Sequence, residues 1–486
     1  MDGIQIDGAL FCAAETAVED SITALQNVID SVSSLKIPED FDSGMVFSIK
    51  DNLQSILNDL KLCLDVINRT KHAIYNSSMA TEFIVKYKSY LNSLNLLNNM
   101  SDNEKLALKD YLMKYLQSGE ELDENTKNLL LAVLGENYSK INYSGEFANF
   151  TDLQKIYLAR FSNVFKDLET DKDFVEGKTI RELLNSDKYR NDERLMKLFE
   201  CGFGDIRITE VKRGKFGFSA LVLQDKSGNY MINYNCTETD KLSSKVGDYS
   251  YDVVLAASSL KKSDFEAVFP GKGYLFDKLQ DIAKSDTFQS IIYNQRVQTQ
   301  ELSEKYINIA RSECVKVHLS GYSLGGSLTE ESLLYFDKHG KDVLGNVTVY
   351  NPIHNNLSKE EVEIIKSYGD QYQCYIAQGD LTSAVSNYDD FKDIVRYVGY
   401  NYKKEYKEVI DECEDDWFNF ILKIFTGPPH SADTILRNNE AIQNNFDENG
   451  NYNSNAKGVS IQEAFAIIED LKHERRGGKF WIYMIT

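Results

Sequence analysis

The sequence predicts an α/β layer with a largely parallel sheet, carried behind a wholly helical N-terminal part. Three observations predict it. Up to about residue 195 the apolar residues keep a helical spacing and only one proline, Pro38, occurs. From about 205 the pattern changes to short apolar runs broken by turns. Beyond that, those runs alternate with helical patterns, as a parallel sheet with crossover helices requires. The reading gives three segments: a helical domain over 1–195, an α/β domain over 196–450, and a tail with one short helix over 451–486.

In the first segment Ile22, Leu25, Val28, Ile29, Val32 and Leu35 fall on one helix face. Ile49, Leu53, Ile56, Leu57, Leu60, Leu64 and Ile67 repeat that 3.6-residue period. Pro38 and Gly44 lie between the two runs, so the pair reads as a helical hairpin. A further helix follows in SDNEKLALKDYLMKYLQ, where Ser101 and Glu104 have capping-box spacing. In the second segment FGFSALVLQDKSGNYMINYNCT reads as two strands about a turn at Lys226-Ser227-Gly228-Asn229. A helix (YNQRVQTQELSEKYINIARSE), a strand (VKVHLS), a helix (SLTEESLLYFDKH) and the strands NVTVYNPI and QCYIAQGD complete the alternation. The tail carries the helical pattern SIQEAFAIIEDLKHERR.

Composition removes several function classes. The chain is 42% hydrophobic over 486 residues, enough to bury a sizeable core. Its formal charge is −21, which argues against nucleic acid as a partner and makes an anionic membrane repulsive on average. Cys12, Cys63, Cys201, Cys236, Cys314, Cys374 and Cys413 are dispersed and odd in number, which reads as reduced thiols. None of the six histidines forms an HExxH-type pair, so a zinc site is not expected. The acidic opening MDGIQIDGALFCAAETAVED lacks the basic and apolar regions of a signal peptide. No run of 18 apolar residues suggests a transmembrane helix.

The chemistry concentrates in VKVHLSGYSLGGSL, Val315–Leu328. A strand, Gly321-Tyr322-Ser323-Leu324-Gly325 and a helix have the layout of a nucleophile elbow. The turn is so sharp that positions two before and two after the serine tolerate no side chain, which accounts for Gly321 and Gly325. Ser323 Oγ is then raised above the sheet. The Leu324 N–H lies at a helix start, where orphan donors and the dipole favour an oxyanion.

A serine nucleophile needs a base, and the base needs an orienting acid. In α/β hydrolases the acid and then the histidine follow the serine. His354, in YNPIHNN, and His430, in FTGPPHSADTILRN, follow at useful distances. His430 is preferred, because a proline-constrained loop before a helix can hold an imidazole toward the sheet's C-terminal edge. Asp380 ends an apolar strand in CYIAQGDLTSAV and is the preferred acid. Asp389 and Asp390 suit a solvated helix face instead.

VKVHLSGYSLGGSLTE, VYNPI, YIAQGDLTSAVS and PPHSADTILRN are similar in order and spacing to the class 3 (fungal-type) lipases and their bacterial lipase-like relatives. The resemblance spans residues 205–450, and implies an α/β hydrolase domain. It implies Ser323 as nucleophile, Asp380 as acid and His430 as base, with no metal or cofactor required. The family elbow reads G-H-S-L-G-G, so Tyr322 stands where it has histidine. Its R-G-T or R-G-S strand end corresponds to Asn235-Cys236-Thr237, which implies Thr237 as the second oxyanion donor beside Leu324. A Cβ at Cys236 crowds such a hole or shifts its N–H, and a single donor is worth about 3 kcal/mol. Activity weaker than the family's, or narrower, is the expectation. The family's lid corresponds to SSKVGDYSYDVVLAASSLKKSDFEAVFPGKGYLF, where Val253, Val254, Leu255, Phe265, Val268 and Phe269 suit either a lipid-facing lid or plain core.

The implied function is a serine lipid hydrolase, a lipase or phospholipase A. The alternatives are an inactive hydrolase fold serving as an interaction protein, and a thioesterase or peptidase of the same fold. The N-terminal helices resemble the targeting regions of toxins exported by type VII secretion. That resemblance implies small helical partners binding residues 1–195, export without a cleaved signal, a cognate immunity protein, and the lipids of a competing or host cell as substrate. A scaffold or regulatory bundle in a cytoplasmic enzyme is the other reading of the same helices.

Overall fold

The structure, a computed structural model, describes residues 8–33, 51–61, 63–64, 67, 92–118, 121–161, 171–215, 217–235, 254, 262–263, 266, 271, 273–353, 357–385, 391, 393–413, 423, 430–431 and 435–476. Backbone contacts divide the chain into two compact units, 1–107 with 121–135 and 108–120 with 136–486.

The described part of the first unit is mostly helical. Helix α1 spans Gly8–Ser33, and residues 51–61 are helical. Ile29 and Leu57 are buried, whereas Val28 and Ile56 are 46% and 50% exposed. The apolar stripes are therefore narrower than the spacing predicts. Residues 22, 25 and 29 share a line, and Val28 sits about 100° off it. The break at Pro38 and Gly44 lies outside the described residues. Helix α2 (Asp102–Ser118), whose residues from 108 onward belong to the second unit, opens with Ser101 and Glu104 bonding reciprocally, the Ser101 N–H donating to Glu104 Oε2 at 2.8 Å. Helix α3 (Glu124–Leu134) is capped by the Asp123 carboxylate, which accepts from the Asn125 and Thr126 N–H groups.

In the second unit, α4 (Asp152–Ala159) precedes one mixed seven-stranded sheet whose spatial order follows the chain. The strands are β1 (Arg207–Arg213), β2 (Ser219–Gln224), β3 (Tyr230–Tyr234), β4 (Val317–Tyr322), β5 (Leu344–Tyr350), β6 (Tyr372–Ala377) and β7 (Val395–Val398). The first three form an antiparallel meander, and β3 to β7 run parallel. The β2–β3 turn is the one expected: Asp225 accepts from the Ser227 and Asn229 N–H groups, and Gly228 has φ 86°. Helices α5 (Gly273–Lys284) and α6 (Asp286–Glu313) lie between β3 and β4, α7 (Leu324–His339) follows β4, and α8 (Lys359–Ser367) follows β5. After β7 come α9 (Tyr402–Glu412), α10 (Asn439–Asn445) and α11 (Ile461–Arg476).

Strands added in one direction through right-handed crossovers put their crossover helices on one face. Tyr306 of α6, Phe336 of α7 and Ile365 of α8 accordingly pack with Leu319 and Val349 of the sheet. A central parallel sheet must be covered on its other face too. That cover is α4, through Leu153 and Ile156, and the α10 region, through Ile442 and Phe446, packed on Tyr322, Tyr350 and Tyr375. The boundary placed at 195 thus falls inside the second unit, because residues from 136 onward belong to it. Helical periodicity reports that a segment is helical, not which body it covers.

The tail assignment needs the same revision. Ala464, Phe465 and Ile468 of α11 are buried with Leu279 of α5, Tyr406 of α9, and Leu324, Ile353 and Leu381. Helix α11 is core, forming with α5 and α9 an apolar cap at the sheet's C-terminal edge. Strands β1 and β7 are additions to the expected set. No helix among the described residues is long and apolar enough to cross a membrane.

Candidate active site

Strand β4 ends at Tyr322 and α7 begins at Leu324, so Ser323 alone makes the turn. It does so at φ 57° and ψ −125°, a conformation that costs a residue with a side chain on the order of 1–3 kcal/mol. The surroundings hold it there. The Ser323 N–H donates to the Tyr350 carbonyl at 3.1 Å, and its own carbonyl accepts from Gly326 at 2.9 Å and Ile353 at 3.3 Å. A Cβ on Gly321 would collide with the Gly325 carbonyl, and one on Gly325 with the Tyr234 carbonyl. Gly326 is constrained as well, since its Cβ would come within 2.8 Å of Pro352. Ser323 makes no side-chain capping bond to its helix, which leaves Oγ for another partner.

That partner is His430. Its Nε2 lies 2.7 Å from Ser323 Oγ, and its Nδ1 lies 3.0 Å from Asp380 Oδ1. A carboxylate only accepts, so Nδ1 carries the proton and Nε2 is left to accept from the serine hydroxyl. The carboxylate is fixed in turn by the Thr382 N–H at 3.1 Å and by Ser383 Oγ at 2.5 Å. Asp380 follows β6 through Gly379, whose φ is 83°, and the Tyr406 hydroxyl donates to the Gly379 carbonyl. Burial first, and then the nearby Asp380 charge, push the Tyr406 pKa well up, so that hydroxyl remains a donor. Ser323, Asp380 and His430 are 1%, 2% and 4% exposed, so the three-residue chain is closed to bulk water.

Two further residues tie down the base. The His430 carbonyl accepts from the Tyr322 hydroxyl at 2.9 Å and from Asn351 Nδ2 at 2.8 Å. The Tyr322 ring also stacks on the imidazole, with centroids 5.4 Å apart. Asn351 sits at φ 44° and accepts from the Ala377 N–H at 2.8 Å. One amide therefore joins the ends of β5 and β6 to the histidine loop. Tyr322 thus holds the base through both its hydroxyl and its ring. The only sequence signal at Asn351 is that of a turn, an asparagine between a strand and Pro352.

The expected residues thus divide. Ser323, His430 and Asp380 converge, with Gly321, Gly325 and Leu324 in the elbow. Leu324 opens α7, so its N–H has no acceptor within the helix. Thr237, Cys236, His354, Asp389 and Asp390 lie outside the described residues, as do Val253, Leu255, Phe265, Val268 and Phe269. Val254 is buried in the apolar cap. No family model matches the chain, and neither a curated protein nor a solved structure does.

Proposed function

We propose that this protein is a serine ester hydrolase with an α/β hydrolase domain of the class 3 lipase kind, acting on acyl esters of lipids. The observation that carries the reading is the buried Ser323–His430–Asp380 hydrogen-bond chain on a strained strand-to-helix turn. Ser323 Oγ attacks the acyl carbonyl carbon while its proton passes to His430 Nε2. The carbonyl electron pair moves onto oxygen, and the Leu324 N–H stabilises the charge. Collapse expels the alkoxide, which takes the proton from His430. Water repeats the sequence on the acyl-enzyme and releases the fatty acid. Asp380 holds the Nδ1–H tautomer throughout.

The lipid preference is supported by the apolar cap. Leu324, Ile353 and Leu381, neighbours of the reacting groups, are sealed by α5, α9 and α11. Displacing that cap exposes an apolar surface suited to an acyl chain. Export by a type VII-like route, with small helical partners and an immunity protein, is the companion proposal for the N-terminal helices, supported by the lipase-like resemblance and by the helical first unit. The hydrolase reading is tested by mass spectrometry of products from a mixed phospholipid and triglyceride extract. Fatty acid and lysophospholipid should appear with wild type and not with Ser323→Ala. Equal product from both proteins excludes Ser323 as the nucleophile.

A further inference from the structure

The residue that follows β3, Asn235, is 3% exposed, and neither its Oδ1 nor its Nδ2 has a hydrogen-bond partner among the described residues. This is unusual, because a buried amide left unpaired is costly. Two other buried asparagines in or beside the sheet have side-chain hydrogen bonds. Asn233, two residues earlier, donates Nδ2 to the Leu158 carbonyl at 2.7 Å and to Ser320 Oγ at 3.0 Å. Asn351 uses both ends of its amide around His430. Asn235 is set apart by its place. Tyr234 pairs with Gly321, so Asn235 follows at the level of the elbow. Its backbone lies against the first turn of α7, where a Cβ on Gly325 would come within 3.0 Å of the Asn235 carbonyl carbon. Its own N–H is already committed to the Ser219 carbonyl at 3.0 Å, which leaves the side chain as its free donor.

We infer that the Asn235 carboxamide is a substrate contact of the proposed hydrolase site, donating Nδ2–H to the oxyanion beside the Leu324 N–H. The inference rests on the hydrolase reading and deepens it. It assigns a polar side chain to a position where the family resemblance offers only an absent arginine. The unpaired amide is tolerated in the resting protein because its partner is the charge that develops during acyl transfer, a preorganisation that trades stability for rate. Asn235 Oδ1 would face the acyl-ester substrate with it, which favours esters carrying a donor close to the scissile bond.

The test takes the full chain and measures two quantities for each variant, kcat on a soluble short-chain ester and the thermal midpoint. Asn235→Leu removes the amide at nearly constant volume. A kcat lower by about 10²–10³-fold, with KM little changed and a midpoint equal to wild type or higher, is the expected result. Asn235→Asp, which keeps the shape and cannot donate, should lose at least as much kcat. An unchanged kcat in Asn235→Leu overturns the assignment. So does a steep fall in midpoint in both variants, which would mark the amide as structural. Labelling of wild-type Ser323 by a fluorophosphonate separates the levels. Labelling with normal kcat in Asn235→Leu removes Asn235 alone, whereas no labelling removes the hydrolase reading and this assignment together.

Discussion

Ser323 is worth its strain only if the histidine is held in register with it. The Tyr322 hydroxyl and Asn351 Nδ2 share the His430 carbonyl, so they act on the base through its backbone. Tyr322→Phe removes one neutral hydrogen bond, worth about 1 kcal/mol. We expect a roughly tenfold fall in kcat with a small change in thermal midpoint. Asn351→Ala should cost more, about a hundredfold, because it also strands the Ala377 N–H. Equal kcat in both variants would show that the carbonyl needs no clamp. His318 makes a separate prediction. It is buried on β4, accepts from the Asn346 N–H through Nδ1 at 3.0 Å, and packs on Phe147. Burial, reinforced by Lys155 and Lys316, pushes its pKa down to about 4. The unfolded chain, with a histidine pKa near 6.5, therefore binds more protons between those values. Stability is whole above about pH 6.5 and is lost as pH falls toward about 4, by roughly 3 kcal/mol at most. The fall in melting temperature between pH 7 and pH 5 should be clearly smaller in His318→Gln than in wild type.

Among the elements, the sequence was most readable where one local rule dominated. Strand β4 and α7 announced themselves because Gly321, Gly325 and the flanking apolar runs all answer to a single turn. The β2–β3 hairpin was legible from Ser227-Gly228-Asn229 for the same reason. Strand β7, Val395–Val398, was not, because an edge strand of four residues with an internal arginine carries little apolar period. Strand β1, with Arg207, Glu210, Lys212 and Arg213, is masked by its charges in the same way. Helix α11 is legible as a helix but not as core, since Phe465 and Ile468 find their partners on α5 and α9, far away in sequence. Ending the chain after residue 458 should therefore expose the cap and the ground beneath Leu324. We expect an insoluble protein, or one less stable by several kcal/mol on the basis of the buried side chains removed. Wild-type stability in that truncation would restore the tail description.

For the molecule as a whole, the instructive point is where the α/β body begins. The composition changes near 195, yet α4 supplies one cover of the sheet through Leu153 and Ile156. A fragment of residues 196–486 should expose Tyr322, Tyr350 and Tyr375 and fail to fold, whereas 108–486 should give a cooperative transition. The serine, acid and histidine that converge are legible in the sequence because each sits at a strand end or in a loop with its own signature, whereas the expected donor Thr237 lies outside the described residues. The support is not legible in this way: Asn351 and the orphan amide of Asn235 are defined by neighbours that only the fold assembles. The central claim is that Ser323 is an activated nucleophile. Intact-protein mass spectrometry after fluorophosphonate treatment tests it most directly. The account predicts one phosphonyl adduct on wild type, mapped to Ser323, and none on Ser323→Ala or His430→Ala. An unlabelled wild type, or an adduct that persists in Ser323→Ala, would contradict it.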